Sequence, residues 1–244
     1  MSDIIAGRNP VLEAINAGRS INKVMVDRSS HNNTVDEIIK KARTARIPVD
    51  FVDKHALDRL APDTGHQGIV AYASSKDYIS LDSLMAVSQE KNEAPLYLVL
   101  DGIEDPQNLG AILRTAEAAG VHGVVVRSHR AVGLTPSVAK ASAGAIEYVP
   151  VARVPNISQA IEILKKQGVW VIGIDMTGTT SYTRVDFKLP TAIVIGGEGK
   201  GLSDLVRKRC DVVASIPMKG KIGSLNASVA AAVVVYEALN QRDQ

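Results

Sequence analysis

The second half of the chain alternates short apolar runs with longer segments whose apolar residues recur every three or four positions. Runs rich in Val and Ile predict buried strands, and the longer period predicts helices between them. Continuous β-branched strands joined by helices favour a parallel sheet that is covered on both faces. The predicted strands are 96–100, 123–126, 146–149, 170–174, 192–195 and 212–216, and the predicted helices are 109–119, 136–143, 157–167, 202–209 and 226–241.

The beginning of the chain predicts a smaller α/β domain. Its predicted strands are 23–27, 48–52 and 68–73, and its predicted helices are 10–17, 34–45 and 55–60. Residues 76–93 carry two basic and four acidic residues around one short amphipathic turn, which is typical of a linker. We therefore expect a front domain over 1–75, a linker over 76–93 and a second domain over 94–244.

Composition narrows the class of protein. The chain has 244 residues, 45% of them hydrophobic and 22% charged, which fits a globular protein with one large or two modest cores. Its single cysteine, Cys210, excludes an internal disulfide, suits a reducing cytosol and has no Cys/His neighbours at metal-ligand spacing. No apolar run approaches the ~18 residues of a membrane span, and no leader pattern opens the sequence. These features predict a cytoplasmic protein without a metal or a membrane partner, and the net charge of +2 neither requires nor excludes nucleic acid.

The segment 192–203 is the most informative part of the chain. An apolar run leads into four glycines within six residues, and a helical pattern follows. Glycines at a strand–turn–helix junction let the backbone approach a ligand closely. The dinucleotide-binding pattern breaks at Leu202, however, and the phosphate-loop pattern breaks at Gly201, where it requires Ser or Thr. Glu198 would repel a phosphate, so this loop favours a cationic or amide-rich ligand.

A second candidate segment follows the strand at 96–100. The Asp-Pro pair at 105–106 predicts a helix start, and Arg114 lies opposite the apolar stripe of that helix. Two interpretations stay open for each polar residue here. Arg114 either pairs with Glu117 in solvent or serves a site, and Asn108 either caps the helix or contacts a ligand.

A third segment lies between the last predicted strand and the last predicted helix. The loop 217–223 is polar and contains Lys219 and Lys221, although the strand before it and the helix after it are both predicted to be buried. Such a loop at the carboxyl edge of a parallel sheet is where an open α/β domain binds its ligand. Ser224 or Asn226 is expected to cap the final helix.

Together, these segments resemble the signature motifs of the SpoU/TrmH-type 2′-O-ribose RNA methyltransferases of the SPOUT superfamily. The matching stretches are Asn108-Leu-Gly with Arg114, Gly196-Gly-Glu-Gly-Lys-Gly-Leu, and Ile216-Pro-Met with Ser224-Leu-Asn-Ala-Ser-Val-Ala. The front domain is similar to the substrate-binding domain of one branch at Gly7-Arg-Asn-Pro-Val-Leu-Glu-Ala and His66-Gln-Gly-Ile-Val-Ala. Within the family, the chain most resembles the RlmB-type branch, which methylates a guanosine of 23S ribosomal RNA.

This resemblance implies S-adenosylmethionine (AdoMet) as cofactor, large-subunit ribosomal RNA as substrate, and a homodimer with the active site near the subunit interface. It also implies a deep C-terminal trefoil knot, whereas general folding rules alone predict an unknotted sheet. The implied catalytic residues are Arg114, Asn108, Glu198, Ser224 and Asn226. The implied cofactor-binding residues are Gly196, Gly197, Gly199, Ile216, Met218 and Leu225. The implied RNA-binding residues are Arg8, Asn9, His66, Gln67, Lys219 and Lys221.

Several alternatives stay open at this stage. A guanidinium is almost never deprotonated, so Arg114 is either an assisted base or a clamp for phosphate and alkoxide. Asn9 and Pro10 are expected to start a helix as its cap and first residue, whether or not they also contact RNA. The target could be transfer RNA, the chain could be a non-catalytic RNA-binding dimer, or it could be an unrelated nucleotide-dependent enzyme.

Overall fold

The computed structural model describes residues 2–30, 32–62 and 65–243. The chain forms two compact units. The smaller unit contains the residues through Asp77 together with Gly133–Tyr148, and the larger unit contains Tyr78–Val132 and the residues from Val149 onward.

The secondary structure of the first 77 residues consists of β1 (Ser2–Ala6), α1 (Arg8–Asn16), β2 (Ile21–Asp27), α2 (Asn33–Thr44), β3 (Val49–Val52), α3 (Lys54–Leu60) and β4 (Ile69–Ser74). The chain continues with α4 (Leu81–Lys91), β5 (Leu96–Asp101), α5 (Pro106–Ala118), β6 (Gly123–Arg127), α6 (Pro136–Ala141), β7 (Val151–Val154), α7 (Ile157–Lys166) and β8 (Trp170–Ile174). The remaining elements are β9 (Thr180–Ser181), β10 (Thr191–Gly196), α8 (Asp204–Arg209), β11 (Val212–Ser215) and α9 (Ala227–Arg242). Two 3-10 helices span Ala145–Glu147 and Tyr182–Arg184.

The smaller unit is built on a four-stranded sheet with the order β1-β4-β2-β3. Strand β4 runs antiparallel to β1 and β2, and β3 is parallel to β2. Helices α1 and α2 bury one apolar core against this sheet, and α3 buries a second, smaller core. The segment Gly133–Tyr148 is joined to this unit by an ion pair of 2.6 Å between Arg19 and Glu147, whose side chains are only 7% and 2% exposed.

The larger unit is built on a seven-stranded sheet with the order β7-β6-β5-β10-β8-β11-β9, and all of its strand pairs are parallel. Residues of α4 and α7 share one core with the sheet, while α5 and α9 pack on each other and on β6 and β10. The predicted parallel α/β sheet is therefore confirmed. Because the strands are parallel, their carboxyl ends share one edge, which we call the carboxyl edge. Strand order alone does not test the trefoil knot, which stays a prediction.

The structure differs from the predicted domain division in two places. The segment 76–93 is not simply a linker, because Leu81–Lys91 is helix α4. Its N-cap is Ser80, and Leu81 and Leu84 are buried in the core of the larger unit. The segment Gly133–Tyr148, expected in the second domain, instead packs with the smaller unit.

Two local predictions were also wrong. The apolar run 146–149 contains the end of a 3-10 helix, and the strand begins later, at Val151. A run this short does not distinguish strand from helix. Helix α1 begins at Arg8, so Asn9 is not its cap and Pro10 is its third residue. The unpredicted strand β1 leads directly into α1, and Gly7 makes the turn with a φ of 106°.

No helix within the described ranges combines the length and the apolar character that crossing a membrane would require.

Candidate functional site

A cleft of about 340 Å³ opens at the carboxyl edge of the larger sheet. It lies between the ends of β8, β10 and β11 and the start of α9. Its walls include Ile174–Thr177, Ile195–Leu202, Ile216, Met218, Gly223–Leu225, Ala227 and Ala230. Two of the three segments selected from the sequence therefore form the walls of one cleft.

The glycine loop after β10 is shaped by close backbone contacts. A Cβ on Gly196 would lie 2.2 Å from the carbonyl carbon of Gly201, and a Cβ on Gly197 would lie 2.3 Å from the carbonyl oxygen of Gly102. Gly199 and Gly201 have φ angles of 74° and 62°, which side-chain-bearing residues rarely adopt. The loop thus requires glycine at these positions for its fold, whatever ligand it binds.

Two aspartates connect this loop to the strand ends. The Asp101 carboxylate accepts a hydrogen bond from the Ser203 N–H at 2.9 Å, and that of Asp175 accepts from the Leu202 N–H at 3.2 Å. Burial tends to raise the pKa of Asp175, but hydrogen bonds from Thr177 and Leu202 outweigh it and hold this pKa below its usual value. The sequence reasoning missed Asp175. Its position directly after the predicted strand 170–174 was the signal that could have found it.

Three polar side chains meet at the rim of the cleft, and we call Asn108, Glu198 and Asn226 the polar triad. Glu198 Oε1 accepts hydrogen bonds from the Asn108 amide and from Asn226 Nδ2, the latter at 3.2 Å. Asn226 Nδ2 also donates to Asn108 Oδ1 at 3.0 Å. The members come from three separate segments, since Asn108 is 90 residues before Glu198 and 118 before Asn226. The triad leaves a carboxylate at the rim with amide partners, which suits a cationic ligand.

The two asparagines of the triad differ in their local role. Asn226 caps α9, because its Oδ1 accepts from the N–H groups of Ser228 at 2.9 Å and Val229 at 3.3 Å. Asn108 is buried and does not cap α5, whose cap is Asp105. Of the alternatives left open by the sequence, local capping therefore holds for Asn226 and fails for Asn108.

The remaining cleft residues are mostly apolar. Ile216, Met218 and Leu225 line the cleft, and Ser224 lines it without a hydrogen bond to another described residue. Lys219 and Lys221 are exposed on the same loop and are not part of the wall. The part of the chain that the structure describes contains no group of three His, Cys, Asp or Glu side chains placed to hold a metal ion.

Arg114 lies outside this cleft. It is exposed on α5, six residues after Asn108 and therefore about 120° around the helix from it. Among the described residues it has no ion pair, so the pairing with Glu117, one of the two interpretations left open by the sequence, is not found. A single chain thus does not bring Arg114 to the polar triad.

In the smaller unit, His66 is buried and organises a turn. Its Nδ1 accepts the Gly68 N–H at 3.0 Å, so its Nε2 carries the proton and donates to Asp58 at 2.9 Å. This hydrogen bond lowers the pKa of Asp58. Both ring nitrogens are occupied, which leaves neither free for the RNA contact expected from the sequence.

Arg8 and Gln67 are brought together although they lie 59 residues apart in the sequence. Arg8 Nε donates to the Gln67 carbonyl at 3.1 Å, and the Arg8 N–H donates to Gln67 Oε1 at 3.3 Å. Gln67, in the loop between α3 and β4, is exposed, and so is Asn9, the second residue of α1. Two of the four front-domain residues chosen from the sequence, Arg8 and Gln67, are therefore in direct contact.

Comparison with known proteins agrees with this fold. The SpoU rRNA Methylase family matches residues 95–236, and the RNA 2′-O ribose methyltransferase substrate-binding family matches residues 4–79. YacO of Bacillus subtilis (strain 168), assigned to the TrmH family of tRNA/rRNA methyltransferases, is 43% identical over 242 residues, which cover 99% of this chain and 96% of the relative.

Two solved structures are similar over almost the whole chain. The SpoU methyltransferase AviRb from Streptomyces viridochromogenes, solved with the cofactor AdoMet, has a TM-score of 0.83 and 29% identity and covers 99% of this chain and 91% of its own. An AdoMet-bound rRNA methyltransferase from Sinorhizobium meliloti has a TM-score of 0.81 and 25% identity, with 98% and 87% covered.

The two family matches, which together cover most of the chain, define the class of protein as an RNA methyltransferase. The chain belongs to the TrmH/SpoU family of these enzymes.

Proposed function

We propose that this protein transfers a methyl group from AdoMet to a ribose 2′-hydroxyl of RNA, with a guanosine of 23S ribosomal RNA as its target. The observation that carries this proposal is the polar triad at the rim of the glycine-walled cleft. The AdoMet-bound relatives AviRb and the Sinorhizobium meliloti enzyme support the choice of cofactor.

The residues of the cleft fit this cofactor. The volume of about 340 Å³ lies in the usual range for a small-molecule site. Ile216, Met218 and Leu225 offer apolar walls for a flat ring, while Glu198 and Asp175 offer negative charge to a cation. When bound, AdoMet supplies a methyl group carried by a positively charged sulfonium. Gly196, Gly197 and Gly199 would form the backbone wall next to it.

The chain's own residues contribute mainly by positioning. Glu198 and Asn226 hold each other at the rim, and Asn108 is fixed beside them, so their polar atoms are oriented before the substrate binds. Asn108 and Ser224 are proposed to orient the ribose hydroxyl toward the methyl group. Correct alignment of nucleophile and methyl group supplies much of the rate in such a displacement.

Arg114 is proposed to act at the site of a homodimer. Helix α5 packs on α9, and α9 exposes Val229 and Tyr236, which are 46% and 49% exposed. Exposed apolar residues that lie on one face of one helix, as these two do, suit a subunit interface. At that interface, the Arg114 guanidinium would grip the target phosphate and stabilise the developing alkoxide, since a guanidinium is a poor base.

RNA recognition is proposed to involve both units separately. In the smaller unit, Arg8, Asn9 and Gln67 would contact the RNA, and His66 would hold their turn in place. In the larger unit, the exposed Lys219 and Lys221 would contact the backbone near the cleft. Few charges are needed where recognition relies on shape and base edges.

The test is methyl transfer from labelled AdoMet to unmodified transcripts of 23S ribosomal RNA and of transfer RNA, followed by mapping of 2′-O-methyl groups. Arg114→Ala should abolish transfer while AdoMet affinity, measured by calorimetry, changes only a few-fold. Arg114→Lys is the matched control, because it keeps the positive charge and lacks the planar guanidinium group. Methylation of transfer RNA alone would replace the proposed target, and RNA binding without AdoMet binding would identify a non-catalytic dimer. Normal turnover of Arg114→Ala would overturn the role of that residue.

A further inference from the structure

Strands β6 and β7 end at the carboxyl edge on the side of β5 opposite to the cleft. Arg127 is the last residue of β6, Arg130 lies in the loop that follows, and Arg153 is in β7. The segments 127–135 and 149–161, which surround them, contain no Asp or Glu. At ~4.8 Å per strand, the ends of β6 and β7 lie roughly 10 Å and 14 Å from the end of β10. All three arginines therefore lie near the same edge as the polar triad, with Arg127 and Arg153 leaving opposite faces of the sheet, since they pair with Val154 and Val126 respectively.

Arg153 is held in a fixed orientation. Its Nη2 donates to the Ser128 carbonyl oxygen at 2.9 Å, and its guanidinium lies 5.1 Å from the ring centre of Tyr78. These contacts fix the plane of the guanidinium and use one of its five N–H donors. Arg153 is exposed, and no carboxylate of the described residues forms an ion pair with it. Its charge is thus available to an anion.

Arg127 has a donor without a partner. Its Nε is buried and has no hydrogen-bond partner among the described residues. Buried polar atoms are nearly always hydrogen-bonded, and an unpaired donor on a charged group is costly. Asp101 ends the neighbouring strand, but its carboxylate accepts from the Ser203 N–H and forms no ion pair with Arg127 within the described ranges. This Nε is closed off from solvent, so the half-buried Arg127 side chain would reach a phosphate through its terminal Nη donors and not through Nε.

Arg130 belongs to a loop that is anchored next to the site. The Val132 N–H donates to the Ile103 carbonyl at 3.0 Å, so this loop lies beside the turn between β5 and α5. That turn leads to Asn108 of the polar triad. Glu104 in the same turn is exposed and, in the part of the chain described, forms no ion pair with any of the three arginines.

We propose that Arg127, Arg130 and Arg153 form a phosphate-binding track that holds the RNA backbone next to the target ribose. Guanidinium groups suit phosphate, because their planar donors match two of its oxygens. Contacts of this kind fix the register of a nucleic acid and do not read its sequence. The identity of the ligand as RNA rests on the proposed function.

The experiment compares two double variants of equal charge. Arg130→Gln with Arg153→Gln removes two members of the track. Lys166→Gln with Lys188→Gln removes two exposed cations that form no ion pair with a described residue and lie at the opposite edge of the sheet, at the last residue of α7 and before β10. Arg127→Lys is made separately, because Arg127 is half-buried and Lys keeps its charge.

Binding of a single-stranded RNA of about 20 nucleotides is measured by fluorescence anisotropy over a range of salt concentrations. The arginine variant should bind roughly tenfold or more weakly, and the magnitude of its salt slope should fall by about 0.7 per lost phosphate contact. Its KM for a 23S ribosomal RNA transcript should rise while kcat and AdoMet affinity stay near normal, because the lost interaction is uniform binding. The lysine control should match the parent.

RNA affinity and salt slope equal to those of the lysine control would overturn the track. A parent protein that transfers no methyl group, but whose RNA affinity falls in the arginine variant, would refute the proposed function and leave the track standing. A large loss in kcat with unchanged RNA affinity would also overturn the track, since it would place these arginines in the chemical step.

Discussion

Asn156 and Asn226 cap their helices with the same pair of hydrogen bonds, and of the two only Asn226 belongs to the polar triad. Asn156 Oδ1 accepts from the N–H groups of Ser158 and Gln159 at 2.9 Å and 3.3 Å. Asn226 makes the equivalent two bonds to α9 at the same distances. Substituting either residue by Ala therefore removes a comparable cap, which contributes about 1 kcal/mol. Any further loss at Asn226 reports its bonds to Asn108 and Glu198.

Of those two additional bonds, the one to Asn108, at 3.0 Å, is part-buried and the one to Glu198, at 3.2 Å, is exposed; together they should add about 0.5–1.5 kcal/mol. Asn156→Ala should lower the midpoint of thermal unfolding by about 2–4 °C, and Asn226→Ala should lower it roughly twice as far. Asn226→Ser keeps a capping oxygen and loses both amide donors, so its midpoint should lie between those of the parent and of Asn226→Ala.

Calorimetric titration with AdoMet completes the comparison. Affinity should fall in both Asn226 variants and stay at the parent value in Asn156→Ala. Equal unfolding midpoints for Asn156→Ala and Asn226→Ala would show that the amide of Asn226 contributes nothing to the fold. Unchanged AdoMet affinity in Asn226→Ser would remove the polar triad from the binding site.

Three further predictions concern Cys210, His122 and Arg242 of the larger unit. Burial raises the pKa of the Cys210 thiol to about 12, so at pH 8 it should react with a disulfide reagent at least about tenfold more slowly than in the urea-unfolded chain; equal rates would contradict this. Burial lowers the pKa of His122, whose Nδ1 accepts the Leu96 N–H, so its contribution to stability should be complete above about pH 6.5 and be lost as the pH falls below it. His122→Gln should flatten this dependence, and an unchanged pH profile of the unfolding midpoint would refute it. Arg242 donates to four backbone carbonyl oxygens at 2.6–3.0 Å, and Lys cannot reproduce this set of bonds. Arg242→Lys should therefore lower the free energy of unfolding, measured in urea, by at least about 2 kcal/mol. An unchanged unfolding midpoint would show that these bonds are not stabilising.

The sequence predicted the glycine loop, the strand before it and the helix after it, because β-branched runs, glycine clusters and helical periodicity are local signals. It did not predict that Glu198 would bond to Asn108 and Asn226, since contacts between distant segments leave no periodic pattern. The resemblance to a family selected those residues, and the structure brought them together.

Helix α4 and strand β7 were missed or displaced for a different reason. The apolar residues of α4 are separated by Ser and Asp, so its buried side, with Leu81 and Leu84, is not evident without the core against which it packs. A fragment intended to contain the larger unit would lose this helix if it began at Asn92. Such a fragment should therefore begin at Tyr78. Strand β7 was displaced because Pro150 interrupts one apolar stretch, and only pairing with β6 identifies which side forms the strand.

The inserted segment Gly133–Tyr148 means that the chain passes from one unit to the other three times, after Asp77, Val132 and Tyr148. One proteolytic cut near Asp77 would therefore leave the two units covalently connected. An exchange of substrate-binding units between relatives would have to transfer this second piece with the first. Otherwise the chimaera would separate Arg19 from Glu147 and leave two charged side chains, buried in the parent, without each other. The unit that can be exchanged in this architecture is thus a pair of chain segments and not a single stretch of sequence.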